Sequence, residues 1–271
     1  MQGAPPIAEV IDPTIRPLDI LVVEDDAINQ QVAYGMLTRM GHRPQLAADG
    51  DEALRLIGQS RFDLVLMDIK MPNRDGLRAT HAIRGLGTAD SKIPIIAMTA
   101  SVSRDAREMV FDSGMDDFIS KPISRQVLAD VLLRWKDRVQ DRGAVDVVEP
   151  IVPVIEHAKV EAGEPVRNRA AQSEIEDALG PEAYRTLMTN FREMLNAKLD
   201  RVAASLEAGE IAAATTLVHS IKGSATNLGF TALGLRLKDM EAQLRSDPSG
   251  NGFERYLGQV RDAARAIIVA R

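Results

Sequence analysis

The chain has 271 residues, 45% of them hydrophobic, with a net charge of −6 and no cysteine. That length suits two ordinary domains, and the missing cysteine excludes disulfides and thiolate metal sites while fitting a reducing cytoplasm. The basic residues are dispersed rather than gathered in a stripe, which argues against a nucleic-acid footprint, and no apolar run approaches the roughly 18 residues of a membrane helix.

Residues 1–17 contain Pro5, Pro6, Pro13 and Pro17 and read as a flexible, extended segment. From there to residue 140, strand-like and helix-like stretches alternate. Ile20 to Val23, Leu64 to Met67 and Ile95 to Met98 are continuous apolar runs, the pattern of strands buried on both faces. Weaker strand signals lie at Gln45 to Ala47 and Phe118 to Ile119. Amphipathic helices are expected over Ile28 to Met40, Glu52 to Ile57, Leu77 to Leu86, Arg104 to Phe111 and Gln126 to Trp135. Five strands alternating with five helices predict an α/β domain over 18–140, a doubly wound five-stranded parallel sheet. Periodicity then disappears over 141–172, where Pro150, Pro153 and Pro165 punctuate a Val- and Glu-rich stretch that reads as a linker. From residue 173 to the end the signals are helical. Pro181 suits a first helical turn, and helices are expected over Ala183 to Ala208, Ile211 to Leu228, Ala232 to Leu244 and Phe253 to Val269. Short loops between them predict an all-α antiparallel bundle over 173–271.

In an open parallel sheet the chemistry sits beyond the carboxyl ends of the strands. Strand one ends in Glu24, Asp25 and Asp26, strand three in Asp68 and strand four in Thr99, and strand five leads into Ser120, Lys121 and Pro122. Carboxylates converging on one edge repel each other unless a divalent cation joins them. Mg²⁺ fits best, because it takes one or two carboxylates and leaves room for water and a phosphoryl oxygen. A carboxylate attacks phosphorus when the phosphoryl charge is neutralised from several sides, here by Lys121, Mg²⁺ and the Thr99 hydroxyl. Asp68, on the middle strand, is the candidate nucleophile.

VVEDDAIN, MDIKMPNRDG, MTA and DDFISKP resemble the response-regulator receiver domain, in order and at matching spacing. The resemblance implies a flavodoxin-like fold with Asp68 as phosphoacceptor, Asp25 as a direct Mg²⁺ ligand, Glu24 as a ligand through water and Lys70 as a ligand through its backbone carbonyl. It further implies that Thr99 and Lys121 contact the phosphoryl group and that Phe118 is the aromatic switch residue. Two residues depart from the pattern. Asp26 stands where Asn is frequent, adding charge near the metal as a possible further ligand, and Arg74 stands where Met is common.

On the helix expected over Ile211 to Leu228, the residues Ile211, Val218, Ile221, Ala225 and Leu228 share an apolar face. His219 is rotated away from it by about 100 degrees, toward Lys222 and Gly223 one turn on, an ammonium beside a missing side chain. The stretch HSIKGSATNLG resembles the signature of the histidine-phosphotransfer (HPt) domain. That makes His219 the phosphocarrier, with Lys222 and Ser224 supporting the site. His42, His81 and His157 have no such neighbours and read as structural.

Together the two resemblances imply a phosphorelay intermediate. Asp68 accepts from an upstream sensor histidine kinase, and His219 passes the group to a downstream receiver. The alternatives are the receiver–HPt part of a hybrid sensor kinase and an interaction module independent of phosphorylation. With no ATP-binding kinase motif in it, the chain reads as a phosphotransfer protein rather than a kinase.

Overall fold

The computed structural model describes residues 16–71, 75–100, 103–140, 168–246 and 252–268. They form two compact units that divide between Pro153 and Val154.

The first unit alternates β1 (Asp19–Val23), α1 (Ala27–Arg39), β2 (Arg43–Ala47), α2 (Gly50–Ile57), β3 (Leu64–Asp68), α3 (Gly76–Arg84), β4 (Ile95–Thr99), α4 (Arg104–Asp112), β5 (Asp117–Ser120) and α5 (Arg125–Gln140). All strand pairs are parallel and the order is β2-β1-β3-β4-β5. The pattern of apolar runs follows from this order. β3 and β4 are covered on both faces and buried at every residue, whereas the edge strand β2 alternates exposed and half-buried positions up to the buried Ala47, and the edge strand β5 alternates buried and half-buried ones. That alternation is why their sequences carry a weaker strand signal, and the edge position is why Pro44 is tolerated in β2.

Four of the helices begin on a capping side chain: Asp26 for α1, Asp49 for α2, Asp75 for α3 and Ser103 for α4 each accept from backbone N–H groups of the first turn. These caps place the turns that follow β1 and β3 at the carboxyl edge of the sheet. Gly76 is required there, because a Cβ at that position would lie 2.1 Å from the Asp68 carbonyl oxygen. Its N–H donates to the Ile69 carbonyl at 3.0 Å, closing the loop behind the phosphoacceptor candidate.

The second unit is a bundle of α6 (Arg169–Leu179), α7 (Pro181–Glu207), α8 (Ile211–Asn227), α9 (Thr231–Ser246) and α10 (Phe253–Ile268). Its core is built at helical spacing from Leu187, Phe191, Leu195 and Leu199 of α7, Val218, Ile221 and Ala225 of α8, Leu233, Leu237, Met240 and Leu244 of α9, and Leu257, Val260, Ala264 and Ile267 of α10. Phe191 stacks on Phe230 with ring centroids 5.3 Å apart. Of the expected apolar face of α8, Val218, Ile221, Ala225 and Leu228 are buried and Ile211 is partly so.

α6 has no counterpart in the sequence reading, which carries the linker through residue 172. The helix starts at Arg169 and is tied to the bundle: Asn168 N–H donates to the Gly229 carbonyl at 2.7 Å and the Gln172 amide to the Leu228 carbonyl at 3.2 Å. Gly229, at φ +73, admits this contact, since a Cβ there would meet the Asn168 carbonyl oxygen at 2.8 Å.

Candidate functional site

Glu24 and Asp25, just past β1, and Asp68, at the end of β3, come together at the carboxyl edge of the first unit. One oxygen from each lies within 4.8 Å of the others, so the trio has the geometry of a divalent-cation site. Lys121, following β5, reaches across and donates to Glu24 Oε2 at 2.6 Å and to Asp68 Oδ2 at 2.8 Å. Asn29 on α1 donates to the other Glu24 oxygen at 2.9 Å, and Lys70 N–H donates to Asp68 Oδ1 at 3.3 Å. Thr99 is buried at the end of β4, one residue past Met98, the register partner of Asp68; its carbonyl accepts Lys121 N–H at 2.7 Å.

The charge balance of this edge favours a cation. Burial pushes the Glu24 carboxyl up to about 7; the Lys121 ammonium opposes the shift and the Asp68 charge adds to it. Burial likewise pushes Asp25 up to about 6, helped by the charges of Asp68 and Asp26. Burial alone would push the Lys121 ammonium down, but Glu24 and Asp68 outweigh it and hold Lys121 above its ordinary value. One ammonium among three crowded carboxylates leaves an excess of negative charge, and the donor set is all oxygen. These residues therefore fit a hard cation such as Mg²⁺.

Asp26, a possible further ligand on the sequence, stands outside this trio. Its Oδ1 accepts Ile28 N–H at 3.0 Å and Asn29 N–H at 3.2 Å, so that oxygen caps the start of α1, and its charge acts on Asp25. Arg74 lies outside the described residues. Phe118 on β5 is flanked by Phe111, edge-on at 6.3 Å, and by the Arg107 guanidinium, 5.2 Å from its ring centroid.

In the second unit His219 projects from α8 with its ring part-exposed, as the helical rotation requires. Its partner is a residue that the sequence reading missed. Glu241 of α9, itself buried, takes His219 Nδ1 on Oε1 at 2.8 Å, the Arg245 guanidinium on the same oxygen at 2.6 Å, and the Lys222 ammonium on Oε2. Burial alone would raise the Glu241 carboxyl, but the bonds from His219 and Lys222 outweigh it and hold the group far below the usual carboxylate range. An ionised carboxylate only accepts, so neutral His219 carries its proton on Nδ1 and leaves the Nε2 lone pair bare. The signal for Glu241 is in the sequence: it falls four residues after Leu237 on the stripe that α9 buries, where a charge demands a partner.

Lys222 thus joins His219 through Glu241. Ser224 does not join it: this residue is fully buried, and its hydroxyl donates back to the Ser220 carbonyl at 3.1 Å. Among the other histidines, His42 is buried with Nδ1 accepting Leu18 N–H at 3.3 Å, His81 is exposed on α3, and His157 lies outside the described residues.

Comparison with known proteins agrees with both halves. Residues 20–133 match the response regulator receiver domain and residues 186–268 the Hpt domain. Sensor histidine kinase AruS of Pseudomonas aeruginosa is 32% identical across 98% of this chain and 25% of its own length. The aerobic respiration control sensor protein ArcB of Escherichia coli is 27% identical across 93% of the chain and 32% of its own length. The chain thus spans between a quarter and a third of these relatives. A solved receiver domain from a Pseudomonas aeruginosa sensor histidine kinase, with a magnesium ion coordinated in its active-site cleft, is 40% identical over 45% of this chain and 98% of that one, with a TM-score of 0.42. No helix among the described residues is long and apolar enough to cross a membrane. The chain is a fusion of a response regulator receiver domain with an Hpt domain.

Proposed function

We propose that this chain is a phosphorelay intermediate in which Asp68 accepts a phosphoryl group from a kinase phosphohistidine and His219 carries it onward to the aspartate of another receiver. The observation that carries the reading is the pairing, on one chain, of an aspartate gripped by a nearly buried lysine with an imidazole whose Nδ1 is held by a carboxylate. Each is one half of a phosphoryl exchange.

In the first step an Asp68 oxygen attacks phosphorus, the donor's N–P bond breaks and a neutral imidazole leaves. Glu24, Asp25 and Asp68, with the Lys70 carbonyl, would hold Mg²⁺, which neutralises charge on the phosphoryl oxygens. Lys121 moves with its ammonium onto that group, and Thr99 supplies a hydroxyl from the strand end. In the second step His219 Nε2 attacks the acyl phosphate and the P–O bond breaks, returning the Asp68 carboxylate. The Nδ1 proton stays in the bond to Glu241, whose charge balances the cation that forms on the ring. Lys222 stands beside the incoming group, and Ser224 supports α8 beneath it.

The relatives favour a second context for the same chemistry. Because the chain aligns with a quarter to a third of two sensor kinases, the relay fits equally inside a hybrid kinase, with the kinase upstream in one polypeptide. In either context the linker holds the two sites at roughly millimolar effective concentration if it spans them, so transfer within one molecule is expected. The test labels the chain with a partner kinase and ATP. Wild type should carry phosphate on His219 at high dilution, whereas a dilute mixture of Asp68→Ala and His219→Gln chains should not; full transfer in the mixture would exclude the intramolecular path.

A further inference from the structure

Glu241 Oε1 is shared. It receives His219 Nδ1 at 2.8 Å and Arg245 at 2.6 Å, while Lys222 has Oε2 to itself. The two cations also differ in setting. The Lys222 side chain is 19% exposed, but that of Arg245, one turn beyond Glu241 on α9, is 55% exposed.

We propose that Arg245 is a positioning residue that restrains His219 in the undocked protein and releases it when an anionic receiver site docks, by leaving Glu241 for the partner's carboxylates and phosphoryl group. The proposal rests on the phosphorelay reading and deepens it. A carboxylate that accepts Nδ1–H feeds electron density into the imidazole and raises the nucleophilicity of Nε2. A guanidinium on the same oxygen withdraws part of that density, so Arg245 in place weakens the histidine as a nucleophile. Its half-exposed guanidinium can turn to solvent or to a new partner while His219 and Lys222 keep the buried Glu241 carboxylate compensated, so the exchange costs little. A receiver site offers it a stronger one. In this chain's own receiver three carboxylates crowd within 4.8 Å, and phosphorylation adds phosphoryl oxygens, two of which a guanidinium fork can take together. Lys222, more enclosed, remains on Oε2 and keeps Glu241 compensated after Arg245 departs. His219 then reaches full reactivity only when an acceptor or donor is in place.

The test uses the full chain as wild type, Arg245→Ala and Arg245→Lys, with two readings. Carbethoxylation of His219 by diethyl pyrocarbonate, followed by peptide mass spectrometry, reports the intrinsic nucleophilicity of Nε2. Phosphoryl transfer to His219 from Asp68, loaded with acetyl phosphate and Mg²⁺, reports the docked reaction. Arg245→Ala should carbethoxylate about two- to fivefold faster, the span of a half-exposed ion pair. It should nevertheless accept phosphate about tenfold more slowly, having lost a charge-assisted contact to the phosphoryl group. Arg245→Lys, which keeps the charge without the fork, should fall between the two on both readings. If Arg245→Ala slows both reactions, or changes neither, Arg245 is a structural partner of Glu241 and the proposal fails. Should the alanine variant not fold, the lysine variant decides by the same opposition of signs. Loading of Asp68 without any transfer to wild-type His219 would overturn the relay reading and the docking half with it, while the carbethoxylation rates would still decide the restraint.

Discussion

Glu241 stands among Leu237, Met240 and Leu244 on the buried face of α9, and its two oxygens serve three basic side chains. Its folded carboxyl lies below its ordinary value of 4.5, so it contributes stability above that pH and loses the contribution as pH falls through the lower, folded value. The Hpt unit should therefore lose stability on acidification below about pH 4.5. Glu241→Gln should flatten that dependence and cost about 1–2 kcal/mol at neutral pH, measured by urea unfolding across pH. A variant with the wild-type pH slope would contradict the ion cluster. The first unit has a counterpart in Lys121, whose nearly buried ammonium spans Glu24 and Asp68. Lys121→Met leaves three carboxylates facing each other and should destabilise the metal-free receiver by about 3 kcal/mol, with Mg²⁺ restoring more stability to the variant than to wild type. Equal gains with Mg²⁺, read as unfolding midpoints with and without the ion, would show that the cation does not use this trio.

At the scale of elements, the sheet owes its site to short, capped βα turns. Gly76→Ala should cost about 1–3 kcal/mol by overpacking, and because the clash is with the Asp68 carbonyl it should also slow labelling of Asp68 by acetyl phosphate. A stable, normally labelled variant would mean that the loop yields freely. Phe118 is the expected switch, held from outside by Arg107 and Phe111. Arg107→Ala removes that hold, so beryllofluoride should bind the variant about two- to fivefold more tightly, as loss of one part-buried cation–π contact allows. Unchanged affinity would separate Arg107 from the switch. Most of these elements are legible in the sequence. The central strands show as apolar runs and the sites as residues following them, because burial on both faces and position at strand ends are local properties. What escapes is contact between elements. Glu241 meets His219 only when α9 packs on α8, and Arg107 meets Phe118 only when α4 packs on β5. α6 escapes for another reason: with one buried residue, Ile175, it has almost no apolar stripe, and it is held by end contacts to the Gly229 turn.

The whole molecule carries two candidate phosphotransfer sites on separately packed units, and the relatives that it matches are sensor kinases several times its length. The central claim is that the two sites act in series, Asp68 before His219. The measurement that tests it most directly is a time course of the full chain with acetyl phosphate and Mg²⁺, resolving the two linkages by stability: an acyl phosphate is lost in base, which a phosphohistidine survives. The base-labile label should appear first and the base-stable one after it, with both abolished in Asp68→Ala and only the second abolished in His219→Gln. A base-stable label on His219 that forms undiminished in Asp68→Ala, or its complete absence while Asp68 is loaded, would contradict the account.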